Sequence, residues 1–156
     1  MSDGYPFSAL NFEVRITKEG SKSMLCEGAF SDCDGLEMTM DVKTIRQGGD
    51  NARQIRLAGP ASFGQITLKR GKTEGFDLFN WINQTIADPG LRADVQIVVF
   101  ANATNHSKES ASYHLERCLP VKFKAPALNA REGIVAIEEL QLAYETLRLD
   151  TQGGAA

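Results

Sequence analysis

Apolar and polar residues alternate along several stretches of this chain, the period of a strand with one covered face. Leu10, Phe12, Val14 and Ile16 fall on one side, and Asn11, Glu13, Arg15 and Thr17 on the other. Leu36, Met38, Met40 and Val42 repeat the pattern against Glu37, Thr39, Asp41 and Lys43. Ile55 and Leu57 flank Arg56, and Ile66 and Leu68 alternate with Gln65, Thr67 and Lys69. Tyr113, Leu115, Leu119, Val121 and Phe123 form a further apolar side, which Arg117 interrupts. Pro120 cannot donate to a ladder, so it implies an edge or a bulge there. Val95 to Phe100 is more continuously apolar and suits a central strand.

A different period marks one helix. Phe76, Phe79, Ile82 and Ile86 recur at helical spacing. Thr73 is placed to cap this helix, Glu74 and Asp77 suit its positive N-terminal end, and Asp88-Pro89-Gly90 ends it. Core packing over a sheet is the expectation for Phe76, Phe79 and Trp81. The C-terminal segment reads two ways. Ile137, Leu140, Tyr144 and Leu147 fit a helix, which Glu, Leu and Ala also favour, while Leu140, Leu142 and Tyr144 fit a strand. Local propensity alone leans towards helix. Gly48-Gly49-Asp50-Asn51 is a turn cluster, and Asn102 to Ser112 reads as a polar loop.

Composition narrows the class. The chain has 156 residues, 42% hydrophobic and 24% charged, as in an ordinary soluble domain. No apolar run approaches the roughly 20 residues of a membrane helix. The first residues lack the basic-then-apolar layout of a secretory signal, so synthesis and folding in the cytoplasm are expected. Three cysteines, Cys26, Cys33 and Cys118, form no CxxC pair, and reduced, partly buried thiols are expected.

The net charge of −3 hides a segregation. Residues 1–42 sum to −5, residues 43–72 to +6 and residues 73–156 to −4. The basic segment holds Lys43, Arg46, Arg53, Arg56, Lys69, Arg70 and Lys72 against Asp50 alone. Such opposite potentials steer head-to-tail self-association, unless folding intermixes them.

Candidate chemistry is sparse. Arg70-Gly71-Lys72-Thr73 ends like a phosphate-binding loop, but the glycine that loop needs five residues before Gly71 is Ile66. Asp32 and Asp34 suggest a calcium loop whose later ligands are missing. Neither His106 nor His114 sits in a catalytic or zinc-ligand pattern. The aromatic and basic residues of 63–81 suit single-stranded nucleic acid less well than a packed helix, and the acidic net charge disfavours it further. No catalytic, cofactor or metal residues emerge. An assembly role is expected, with a β-sandwich ligand-binding module, for instance for carbohydrate, as the alternative. Such a module needs solvent-facing rings, and Trp81 on an amphipathic helix disfavours it.

The order of short motifs goes further. Gly35-Leu36-Glu37 opens a strand, followed by Arg46-Gln47-Gly48-Gly49-Asp50-Asn51, then Leu68-Lys69-Arg70-Gly71, then the helix with Trp81. With Asn11-Phe12-Glu13-Val14 near the start and Ala136 to Leu140 near the end, this resembles the phage tail tube family of contractile tails and extracellular contractile injection systems. The resemblance spans roughly residues 5–149. It departs at Gly59-Pro60, where the family usually has Pro before Gly.

The resemblance implies a mainly β fold, a two-sheet β-sandwich or half-barrel with one packed helix, whose copies form a hexameric ring barrel. It implies an N-terminal arm over 1–9, a tail-tube domain over 10–149 and a disordered tail over 150–156. The C-terminal segment should then be strand. The implied role is a structural inner-tube subunit and not an enzyme, or a paralogue forming the ring between tube and baseplate. Implied partners are further copies of the chain in a hexamer and in stacked rings, the sheath, the baseplate hub and spike, the tube-terminating cap and cargo in the lumen. No specific nucleic acid is implied, and a membrane is met only by the assembled machine, a phage tail or a released contractile particle. The interface is expected around Arg46, Gln47, Gly48, Gly49, Asp50, Asn51, Arg53 and Arg56, reaching an adjacent subunit or ring. A closed ring also leaves no exposed sheet edge.

Overall fold

The computed structural model describes residues 12–28, 30–46, 48–49, 54–71, 75–100, 109–128, 130–131 and 136–151. The expected arm over 1–9 lies outside them, as do 152–156. Among the described residues, ten strands and one helix follow in order. They are β1 (Phe12–Lys18), β2 (Met24–Gly28), β3 (Asp32–Asp34), β4 (Met38–Arg46), β5 (Gln54–Phe63), β6 (Gln65–Gly71), α1 (Asp77–Ala87), β7 (Ala93–Phe100), β8 (Glu109–Lys124), β9 (Ile137–Ala143) and β10 (Thr146–Thr151).

Eight strands form one hydrogen-bonded path, β2-β1-β7-β8-β9-β6-β3, with β10 added on β8. The long strand β8 folds this path into two layers. Its first part pairs with β7 and β10, and its last part, from Leu119, pairs with β9. The change of layer occurs between two register shifts. One lies near Arg117, a non-glycine residue with φ of 53°. The other lies between Pro120 and Lys122, where proline implied a bulge. Strand β8 begins at Glu109, inside the stretch expected as loop.

The core lies between the layers. Val14, Ile16, Val95, Ile97 and Leu115 come from one side, and Ile66, Leu68, Leu140 and Leu142 from the other. All nine are essentially inaccessible to solvent. The alternation read in β1 and β6 and the apolar run in β7 therefore mark the core. In β8 the expected apolar side holds at Leu115, but beyond Arg117 the register shifts bring Cys118 and Pro120 inward and leave Val121 exposed. The C-terminal segment is strand, because β9 lies between β6 and β8 and sheet pairing overrides its helical propensity. Strand β10 continues through Asp150 and Thr151, two residues past the expected domain end.

The helix is present but buries another stripe. Leu78, Trp81 and Thr85 are buried, whereas Phe76, Phe79 and Ile86 are exposed. Both stripes have helical spacing, and the indole of Trp81 decides which one packs inward. Thr73 and Glu74 lie outside the described residues, and α1 begins at Asp77 without a side-chain cap.

An ionic cluster pins the start of α1 to the sheet. Arg70 on β6 and Glu138 on β9 are direct register partners, and Arg70 Nε donates to Glu138 Oε1 at 2.6 Å. Both side chains are buried. The same guanidinium donates to both carboxylate oxygens of Asp77, whose Oδ1 also accepts from the Leu78 amide. It stacks over the Phe30 ring, 5.4 Å from the centroid. Arg70 thus belongs to the interior and adds nothing to a basic surface.

Strands β4 and β5 form a separate two-stranded sheet. Every residue of β4 is exposed, including Met38, Met40, Val42 and Ile45. Met38 and Met40, expected on a covered strand face, are thus not core residues of the lone chain.

Candidate functional site

The β4–β5 hairpin is rooted at one tyrosine. The Tyr144 hydroxyl accepts from the Glu37 amide at 3.0 Å and lies within donating distance of the Gly35 carbonyl (2.9 Å) and the Glu37 carbonyl (3.0 Å). The Tyr144 ring also meets that of Phe63, centroids 6.0 Å apart, at the end of β5. One buried side chain therefore holds both feet of the hairpin.

From these feet the arms extend for nine residues in β4 and ten in β5. At about 3.3 Å per residue, the hairpin is roughly 30 Å long. The register runs from Met38 opposite Phe63 to Arg46 opposite Gln54. It shifts between Met40 and Val42, where β5 inserts the extra residue at Gly59-Pro60. The dipeptide that departs from the family pattern thus lies inside a strand, at a bulge. Only glycine fits at 59, because a Cβ there would sit 2.7 Å from the Asp41 carbonyl oxygen.

The expected interface residues fall at the far end. Arg46 closes β4 and Arg56 sits on β5 opposite Thr44, both exposed and on one face. Gly48 and Gly49 form the turn, and Gly49, with φ of 90°, is the one that needs glycine. Gln47, Asp50, Asn51 and Arg53 lie outside the described residues.

Sequence reading missed the hairpin's exposed apolar surface. Met38, Met40, Val42, Ile45, Ile55 and Leu57 are all at least 40% accessible. The signal was visible as alternation, but alternation reports only that one face is covered, not by which chain. A second exposed apolar group lies on α1. Phe76 and Phe79 border a hollow of about 270 Å³ with Phe123, Ala125 and Pro126, and Phe79 meets Phe123 edge-on. Trp81 is only 1% exposed and offers no platform to a ligand.

The outward face of the β1–β7–β8–β10 layer is polar around Arg15 and His114, whereas Val98 and Ser112 on the same side are buried. Arg15, Gln96, His114 and Arg148 lie in one row across the four strands. They line a hollow of about 470 Å³ with Asp94 and Arg117. Arg15 pairs with Glu13 (3.1 Å), Arg117 with Glu19 and Glu145 (3.0 Å each) and Arg148 with Glu116 (3.8 Å), and His114 Nε2 lies 2.9 Å from Asp150 Oδ2. Such a face is a solvated, salt-bridged surface.

Residues 8–148 match the family described as T4-like virus tail tube protein gp19. No curated protein matches the sequence. Among solved structures, a chain of the anti-feeding prophage (AFP) baseplate, 6-fold symmetrised, is 24% identical with a TM-score of 0.79, covering 96% of this chain and 98% of that one. A chain of the extended sheath-tube complex of PVC, an extracellular contractile injection system, is 20% identical at 0.79, covering 96% and 94%. A chain of the AFP tube-terminating cap is 20% identical at 0.78, covering 97% and 95%.

Proposed function

The chain belongs to the T4-like virus tail tube protein family, and on that premise we propose that it is the main inner-tube subunit of a contractile injection system or phage tail. Six copies close into a ring, and rings stack along an axis inside a sheath. The role is structural rather than catalytic. The reading rests on one observation: six large apolar side chains stand exposed on a hairpin that projects from the core. Covering each gains on the order of 1 kcal/mol, since full burial is worth about 1.5–3 kcal/mol and each is already part-covered. A heterologous contact between a projecting arm and a neighbour's body extends without limit along an open axis. The six-fold symmetry named for the similar AFP baseplate supports the ring number.

The partners proposed are the sheath, the baseplate and the terminating cap, with cargo in the lumen. Assembly takes place in the cytoplasm, before the particle is released. A second reading, a ring joining tube to baseplate, draws support from the similarity to the baseplate chain. Electron microscopy of purified protein, with mass photometry, tests both. Tubes of indefinite length are expected. Discs of fixed height would favour the junction ring, and a strict monomer under all conditions, including with a baseplate present, would sink both readings.

A further inference from the structure

Arg117 stands at the corner where β8 changes layers, and among the described residues it is the one non-glycine with positive φ. A residue with a side chain keeps a left-handed backbone only where its surroundings hold it there. The holders are visible. Arg117 Nε donates to Glu145 Oε2 at 3.0 Å, and Nη1 donates to both carboxylate oxygens of Glu19, at 3.0 and 3.2 Å. The backbone adds a third tie, because the Glu145 amide donates to the Glu116 carbonyl at 3.1 Å.

Strand β9 ends at Ala143 and β10 begins at Thr146, so Tyr144 and Glu145 form the whole link between them. Their side chains part. Glu145 is exposed and meets Arg117, whereas Tyr144 is buried and its hydroxyl meets residues 35 and 37 at the hairpin's feet. Those feet have no slack. Gly35, with φ of 108°, lies so close to the Gln65 carbonyl that a Cβ could not fit, and a Cβ at Gly64 would strike the Glu37 side chain. A shift of the 144–145 link is therefore passed to the feet rather than absorbed.

We infer that Arg117 is a positioning residue for the hairpin, acting through Glu145 and Tyr144: an ionic clasp on one side of the link sets how firmly the arm is rooted on the other. All three side chains of the clasp are exposed, so salt screens and weakens it. The rooting of the arm thus tracks ionic strength within the single subunit, whatever assembly that subunit joins. Glu19 lies on the turn after β1 and steadies the guanidinium, but it does not adjoin Tyr144 and is no part of the path.

Hydrogen exchange at low salt reads the arm directly. Arg117→Gln and Glu145→Gln should each speed exchange in 38–46 and 54–63 roughly two- to fivefold, the range of exposed ion pairs, and leave β6 unchanged. Glu19→Gln should speed it less than either. Moderate salt should speed wild-type exchange and leave the Arg117→Gln rate where it was. Arg117→Gly removes the clasp but accepts the left-handed backbone, so it should loosen the arm with little change in the urea midpoint. A staple that serves only its own corner would move none of the hairpin amides, and unchanged hairpin exchange in Arg117→Gln and Arg117→Gly overturns the inference. In a Tyr144→Phe background, Arg117→Gln should add nothing in the hairpin, because the hydroxyl contacts that carry the effect are gone. Additive effects of these two substitutions overturn the path through Tyr144. So does an effect of Glu19→Gln as large as that of Glu145→Gln.

Discussion

The Glu37 amide donates to the Tyr144 hydroxyl, so the root of the projecting hairpin hangs on a single phenol group. Tyr144→Phe keeps the ring contact with Phe63 and removes the hydroxyl's bonds at residues 35–37. The expected cost is about 0.5–1.5 kcal/mol in urea unfolding. Hydrogen exchange should quicken in 38–46 and 54–63 and stay unchanged in β6 and β9. Unchanged exchange in the hairpin would show that Tyr144 does not hold it.

The Arg70–Glu138 pair predicts non-additive losses. Glu138→Ala leaves the Arg70 guanidinium buried with Asp77 as its remaining described carboxylate, and should cost about 3–5 kcal/mol. Arg70→Met combined with Glu138→Leu should cost less than the sum of the two single substitutions, because neither buried partner then faces the loss of the other, and the Asp77 carboxylate that remains is part-exposed. A double variant as unstable as the sum of its single substitutions would contradict this.

Acid should loosen the start of α1. Burial pushes the Asp77 carboxyl up, but hydrogen bonds and charge from Arg70 outweigh it and hold the group below its ordinary value. An unfolded Asp titrates near about 3.9. The stabilisation is therefore complete above that pH and is lost as pH falls through the lower, folded value. Urea midpoints measured across roughly pH 2 to 6 should fall at the acid end, and Asp77→Asn should flatten that fall. Parallel curves would exclude Asp77 as a source.

The three thiols should be inert in the folded chain. Burial, reinforced by Asp77, Asp34 and Asp94 respectively, pushes Cys26, Cys33 and Cys118 up to about 12. Little thiolate exists at neutral pH, and the thiolate is the reactive form. Maleimide titration should label all three only after denaturation, with half-buried Cys33 reacting first. Rapid native labelling of Cys118 would refute the packing around it.

Some of this was legible in sequence and some was not. Val14, Ile16, Ile66, Leu68, Leu140 and Leu142 announced core strands, because a strand with one face on the core must alternate. The helix around Trp81 was also visible, but not its orientation, since residues 76, 79, 82 and 86 and residues 78, 81 and 85 are equally periodic. Residues 137–147 fit both periods, and only long-range pairing with β6 and β8 made the first part strand. For Met38 and Met40 the pattern was read as a covered face, whereas no described residue of the chain covers them. The candidate interface residues around Arg46 and Arg56 were chosen by family motif and by charge. Neither signal distinguishes an exposed Arg46 from a buried Arg70.

Charge reversal tests the basic tip. Arg46, Arg53 and Arg56 changed together to Glu should block tube growth and leave the subunit folded, since the described Arg46 and Arg56 are exposed. Each alone should be mild, as exposed charges contribute about 0–1 kcal/mol. Circular dichroism and electron microscopy at two salt concentrations read the result. Tubes growing at the wild-type rate would discard the electrostatic joint.

A two-stranded sheet with apolar patches on both faces and an unpaired edge along each arm is a hazard to the cell that makes it. Before assembly, any stray strand finds backbone donors and acceptors to zip onto, and the ordered tube competes with amorphous clumping. Lys43, Arg46 and Arg56 act as gatekeepers here, because like charges at the tip repel a second hairpin arriving in the same orientation. Gly59-Pro60 adds a bulge and a residue that cannot donate, which spoils a continuous template on β5. The arm proposed to join the subunits is thus written with its own brakes, and a subunit stripped of them should precipitate before assembling.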